Sequence, residues 1–374
     1  MYNDLTFDLT DNWMAPSSFA QNKTEVMSMK LSRRSFIASA AGAAVVPLVG
    51  AGRALAQSAS GSLTLASYGG GYQDSQNEAL VAPFLKQHPG ISVINDTTAG
   101  DAKVRAMVES GQVTWDLVTL SDGLGFDDDG QYLEEIDYNV VPRDRFLPGF
   151  TTKYRVGATV EASNIAFRGD AFEGRKPAGF ADFFDLEKFP GKRAVYKYVA
   201  GGILEAALVA DGVDPSKLFP LDVERALKKL DSIKSEIIWW ESGAQSVQLL
   251  VSGEASMGIL WVGRAVDAAS KAPVEVLWAQ WLTTNGFWGV PKGAPNKELA
   301  MQAIASFTGA ESQKEFSRRM SYGPTNKDVV LDQSFPFYGN YPTQHLESAV
   351  NVDFKWWRDN QAEVDRKFQQ WLIS

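Results

Sequence analysis

From Gly61 onward the chain alternates between two hydrophobic rhythms. Leu63-Thr64-Leu65-Ala66-Ser67-Tyr68, Ile91-Ser92-Val93-Ile94 and Trp115-Asp116-Leu117-Val118-Thr119-Leu120 are short runs of strand type. Between them lie stretches with helical spacing. One carries Leu80, Phe84 and Leu85 and ends at His88-Pro89-Gly90; another covers Lys103 to Ser110 and ends at Gly111. Phe180–Phe184 predicts a short helix, Arg193–Val199 a strand, and Gly202–Ala210 and Val223–Ile233 helices. The stretch Gln245–Ala269 reads as three pieces: a helix that stops at Ser252-Gly253, a buried strand Met257–Leu260, and Trp261 to Arg264 at that strand's carboxyl end. Val274–Trp278 and Phe287–Pro291 read as two separate strands, and Tyr154–Phe167 as strands joined by small residues. Lys297–Phe307, Glu311–Met320 and Phe354–Leu372 predict helices. Strands alternating with helices predict an α/β fold with mainly parallel sheets flanked by helices. In such folds ligands bind beyond the carboxyl ends of the strands, where Trp261 and Arg264 stand.

The first 56 residues break this pattern. Lys30, Arg33 and Arg34 precede an apolar run, Ile37–Val49, and Ala54-Leu55-Ala56 is an A-x-A cleavage signal. The run is too short for a permanent membrane anchor. Ser32-Arg33-Arg34-Ser35-Phe36 has the form of a twin-arginine export signal, with an ordinary Sec signal as the alternative. Residues 1–56 are therefore expected to be an export signal with an upstream extension, cut after Ala56 to leave a periplasmic protein beginning at Gln57.

Charge and composition then narrow the function. The chain carries 36 basic and 45 acidic residues, and setting the leader aside leaves 31 against 41, a net charge of −10. That balance argues against nucleic acid or an anionic membrane as partner. There is no cysteine, so thiolate and disulfide chemistry are excluded. The two histidines, His88 and His345, form no HExxH pattern, and no GxxxxGK[ST] loop or GxSxG elbow occurs. Asp127-Asp128-Asp129-Gly130 imitates half of a calcium loop but lacks the acids the loop needs at its ends, and reads as a solvated turn. No catalytic residue, cofactor or metal is called for. The remote enzymatic alternative is a secreted carbohydrate hydrolase using Glu161 and Glu241.

The order of motifs carries a resemblance. TWDLVTLSD, GATVEASNIAFRGD, FADFFDLEKFPGKRAVY, LLVSGEASMGILWVGRA, GFWGVPKGAPNKELAMQAI and SYGPTNKD follow one another between Gly61 and Val330. Together they resemble the spermidine/putrescine-binding type of solute-binding protein that serves ABC importers. The resemblance implies a type II periplasmic-binding-protein fold: two α/β lobes joined by a two-stranded hinge, one ligand in the cleft, and delivery to permease subunits. The expected division is 57–160 with 286–325 as the first lobe and 161–285 with 326–374 as the second. Crossovers are expected near Gly157–Ser163 and Leu282–Gly286. The expected partners are a small solute and the permease, for a monomer without stable membrane insertion.

Candidate ligand contacts are Tyr68 and Tyr72 around the first glycines, Ser121 and Asp122 after the third strand, and Lys197 and Tyr198 within the Arg193–Val199 strand. Glu241, Trp261, Arg264, Asn285, Trp288 and Tyr322 complete the set. Ser121 and Asp122 would serve equally well as helix caps. The carboxylates with which polyamine receptors hold amines are missing here: Tyr196–Gly202 contains no acid, and Thr283-Thr284-Asn285-Gly286 stands before the second crossover. Lys197 and Arg264 add positive charge instead. The sequence therefore favours a carboxylate or amino-acid-like zwitterion as ligand, with a polyamine as the alternative.

Overall fold

Strand pairing across the whole molecule positions the cleft. The computed structural model describes residues 61–374; the export signal, its twin-arginine motif and the cut after Ala56 lie outside the described residues. The strands are β1 (Gly61–Ala66), β2 (Ile91–Asp96), β3 (Leu117–Leu120), β4 (Val156–Arg168), β5 (Arg193–Tyr196), β6 (Ile237–Trp240), β7 (Met257–Trp261), β8 (Val274–Gly289) and β9 (Ala349–Val350). Their order is β2-β1-β3-β8-β4-β7-β5-β6, with β9 on β8. A parallel triplet, β2-β1-β3, frames one lobe, and a second, β6-β5-β7, frames the other. Between them the long strands β4 and β8 run antiparallel to each other.

Each lobe buries its sheet on both faces, which is why its parallel strands read as continuous apolar runs. In the first lobe Leu63, Leu65, Phe84, Trp288, Ile304 and Phe307 pack on one face, and Trp115, Val118, Leu120, Leu133 and Phe287 on the other. In the second lobe a large cluster joins Phe183, Phe189, Leu204, Leu230 and Ile259 to Trp357, Phe368 and Trp371 of the final helix, Phe354–Ile373. The other face holds Trp240, Leu250 and Leu260. That final helix starts where Asp353 accepts the Trp356 N–H at 2.9 Å.

Two expectations change. Val274–Trp278 and Phe287–Pro291 are not separate strands, because β8 continues unbroken for 16 residues. Likewise Tyr154–Phe167 becomes one strand, β4, with register shifts at Gly157/Thr159 and Asn164/Ala166. Strand pairing is a backbone matter, so the polar residues Thr283, Thr284 and Asn285 interrupt the apolar pattern without interrupting the ladder. Val160↔Asn285, Glu161↔Thr284, Ala162↔Thr283 and Ser163↔Leu282 face each other where the chain passes between the lobes. Among the described residues no helix is long and apolar enough to cross a membrane.

Candidate ligand cleft

The loops that leave the strand ends, together with the β4–β8 pair, enclose a cleft of about 1220 Å³. On the first-lobe side the chain leaves β1 through Ser67 and Tyr68 and turns at Gly69, whose φ of 71° favours glycine. Tyr72 follows in the first turn of the next helix. Its ring lies 5.7 Å from Tyr68 and 5.8 Å from Tyr322, and its hydroxyl is 3.5 Å from Thr159 Oγ1. Ser121 and Asp122 leave β3 at the cleft floor. Neither caps a helix here: Ser121 Oγ donates to Asp101 Oδ2 at 2.6 Å, and Asp122 Oδ2 accepts the Asn285 N–H at 2.8 Å.

These residues create an acidic corner. Asp122 is buried, and loss of water pushes its carboxyl up to about 8 against the pull of the Asn285 N–H and Arg155. Desolvation likewise pushes Glu161 up to about 7, although its Oε1 accepts the Thr159 hydroxyl at 2.7 Å. Burial raises Asp101 too. The charge of Arg155 draws Asp122 and Asp101 down against this burial, while its Nη1 donates to the carbonyls of Asp122 and Leu124 at 3.0 and 2.7 Å. Gly286 makes room for this corner: a Cβ there would lie 2.5 Å from Thr159 Oγ1 and 3.1 Å from Glu161 Oε1.

The second-lobe wall is aromatic. Tyr196 stacks on Trp240 at 4.3 Å, and Trp261 meets both edge-on at 5.1 Å. Arg264, in the first turn of the helix Val262–Ala269, reaches the cleft past Gly243, where a Cβ would lie 2.4 Å from its Nε. It forms no ion pair or side-chain hydrogen bond with any other described residue. Trp240 Nε1, Asp101 Oδ1, Thr284 Oγ1 and Asn285 Oδ1 are buried beside the cleft without a partner among the described residues. Buried polar groups are normally paired, so this concentration at one cleft points to a polar solute.

Of the sequence-derived candidates, Tyr68, Tyr72, Ser121, Asp122, Tyr198, Trp261, Arg264, Asn285 and Tyr322 line this cleft. Three do not. Lys197 and Glu241 pair with each other at 2.6 Å in solvent, outside the cleft lining. Side chains alternate along an extended chain, so Tyr196 and Tyr198 facing the cleft turn Lys197 away. Trp288 is core, only 1% exposed, and packs on Phe307 at 5.5 Å. The carboxylate pair of the hydrolase alternative is not brought together, since Glu161 is at the hinge and Glu241 outside the cleft lining. The acidic turn is also not simply solvated: Asp129 is 3% exposed and accepts the N–H groups of Gly125 and Phe126. Sequence reasoning missed Asp101, Arg105, Tyr196, Trp240 and Thr284, and the contribution of Trp357 and Arg358 from the final helix. Tyr196 was findable from its alternation with Lys197; the final helix gave no signal. Among the described residues no group of His, Cys, Asp or Glu side chains could hold a metal ion.

Residues 79–343 match the model of the bacterial extracellular solute-binding protein family. The chain belongs to that family. It is 35% identical to the gamma-aminobutyric acid-binding protein of Pseudomonas aeruginosa over 329 residues, 85% of this chain and 93% of the relative. A solved structure of a GABA receptor is 39% identical and superposes with a TM-score of 0.77, covering 83% of this chain and 97% of its own. An ABC transporter substrate-binding protein of Bradyrhizobium japonicum is 31% identical with a TM-score of 0.77, covering 83% of this chain and 99% of its own. As a solute-binding protein serving an ABC transporter, the chain has the two-lobed α/β fold shared by these structures, and the family's extracellular placement agrees with a periplasmic protein.

Proposed function

We propose that this protein captures a small ω-amino acid, of which GABA is the model, and presents it to an ABC permease. One observation carries the reading: a single cleft is lined both by an arginine without an acidic partner among the described residues and by a corner of desolvated carboxylates. Arg264 binds the solute carboxylate through its planar fork. Asp122, Glu161 and Asp101 receive the ammonium, and the aromatic wall of Tyr196, Trp240 and Trp261 covers the methylenes between. Each end of a zwitterion thus removes an electrostatic cost that the empty cleft carries. The names of two relatives support the same class.

A polyamine remains the second reading, favoured by the three carboxylates, Asp101, Asp122 and Glu161, that line one cleft. It leaves Arg264 facing a cationic ligand, which argues against it. In this account residues 57–160 with 286–325 form one lobe and 161–285 with 326–374 the other. The protein is exported, cut after Ala56, and works as a monomer. Titration calorimetry with GABA, β-alanine, putrescine, spermidine and succinate tests the proposal. Tight binding of GABA or β-alanine with no heat from putrescine supports it; tight putrescine or spermidine binding that survives Arg264→Ala overturns it.

A further inference from the structure

Besides the covalent crossovers of β4, β8 and the segment leading to the final helix, a charged contact joins the lobes. Arg358 stands on the final helix, anchored in the second-lobe core through its neighbour Trp357, whose Nε1 donates to Glu205 Oε1 at 2.5 Å. Its guanidinium reaches the loop that follows β3 in the first lobe. There Nη1 and Nη2 donate to the two oxygens of Asp128 at 2.8 and 2.9 Å, and Nη1 also meets Asp129 Oδ1 at 3.2 Å. The acceptor loop is shaped for this. Asp129 Oδ2 ties back the N–H groups of Gly125 and Phe126 at 2.8 and 2.9 Å, leaving Oδ1 to face the arginine. The Phe126 ring lies 5.0 Å beneath the guanidinium. The Arg358 side chain is 15% exposed and that of Asp129 only 4%, so the contact is partly dry. Most ion pairs on this protein join residues far more open to solvent and contribute little. The bidentate partner, Asp128, is 55% exposed, so the dry part of the contact is the guanidinium against Asp129 and Phe126, and the fork geometry supplies the rest.

We propose that Arg358, with Asp128 and Asp129, is an interlobe latch that sets how long the cleft stays closed. The solute's polar ends, on the reading above, are held by Arg264 and the hinge acids, so the latch acts on residence time rather than on recognition. Opening the lobes must break all of its bonds together, whereas the strands β4 and β8 only bend.

The cysteine-free chain permits a direct test. Spin labels placed through Ala106→Cys in the first lobe and Lys228→Cys in the second report lobe separation by pulsed electron paramagnetic resonance without any ligand. Arg358→Ala and Asp128→Ala are each expected to shift the distances outward. Because Lys355 also meets Asp128 at 3.4 Å and Arg358 also meets Asp129, each single variant keeps one contact, and the double variant should shift by less than the sum of the singles. With GABA as probe, stopped-flow fluorescence is expected to give a koff raised roughly fivefold to tenfold in Arg358→Ala, with kon changed much less. Arg358→Lys, which keeps the charge but loses the fork, should fall between, and serves also if the alanine variant fails to fold. Failure of GABA to bind bears on the ligand and leaves the distance measurement to judge the latch. Unchanged distances in both variants, or additive shifts in the double variant, overturn it.

Discussion

Asp122, at the end of β3, accepts the backbone N–H of Asn285 in β8 at 2.8 Å. That bond ties the floor of the first lobe to the strand that crosses into the second, and places a desolvated carboxyl at the pivot. Glu161 belongs to the same pivot, paired with Thr284 across the ladder. A solute that neutralises these groups acts on the segment between the lobes, so binding is expected to be coupled to closure.

Glu161→Gln keeps the shape of the corner and an acceptor for the Thr159 hydroxyl while removing one negative charge. GABA affinity is expected to fall by about 1–3 kcal/mol, the range for a charge-assisted hydrogen bond. Succinate, which lacks an ammonium, should bind no worse and serves in the same calorimeter as the control. Unaltered GABA affinity would remove Glu161 from the ammonium site.

The pH dependence of the ligand-free protein follows from its raised carboxyls, Asp101, Asp122, Glu161 and Glu205 among them. Burial holds Asp122 at about 8, and Glu161 and Glu205 at about 7. Each binds its proton more tightly folded than unfolded. Their stabilisation is complete below pH 4 and is lost as the pH rises through 7 and 8. The melting temperature is therefore expected to fall between pH 5.5 and 8.5, with a shallower fall in Glu161→Gln. Binding of an ammonium should strengthen over the same interval, because it needs the ionised acids. A melting temperature that climbs across this window would refute the assignment.

The fold was legible because its signals are local. Apolar runs such as Met257–Leu260, helix-ending glycines such as Gly253 and the order of motifs all lie within short stretches of chain. The cleft was legible where one strand end supplies it, as with Tyr68, Asp122 and Trp261. Lys197 and Trp288 went astray because residue type does not reveal which way a strand side chain points; only the sheet's burial fixes that. Asp101, Trp240 and Arg358 come together with residues far away in sequence, and no spacing rule reports such meetings. The acidic turn is the plainest case, since its partner Arg358 is more than two hundred positions downstream.

Trp288→Ala tests the reassignment of that residue to the core. Its indole is fully enclosed by the first-lobe cluster, so truncation should cost about 3–5 kcal/mol of stability through lost burial and the cavity left behind. Denaturant unfolding would measure this. With the fold intact at low temperature, GABA affinity should change little. A large affinity loss with unchanged stability would return Trp288 to the cleft wall.

Arg264 provides the sharpest measurement. Its guanidinium has no carboxylate partner among the described residues, so removing it strands no charge among them, and stability should change by less than about 0.5 kcal/mol. Its effect belongs to the complex. A closed cleft strips water from the solute carboxylate, and an unpaired anion there is costly. Arg264→Ala is expected to weaken GABA binding by about 2–5 kcal/mol, the range for losing one partner of a buried charge pair. Arg264→Lys should restore only part of this, since an ammonium cannot pair both oxygens at once. Because the loss concerns the carboxylate, γ-aminobutyramide, which replaces that group with a neutral amide, should bind wild type and Arg264→Ala with nearly equal weakness. If the amide instead loses as much as GABA does on mutation, Arg264 shapes the cleft wall rather than pairing with the solute.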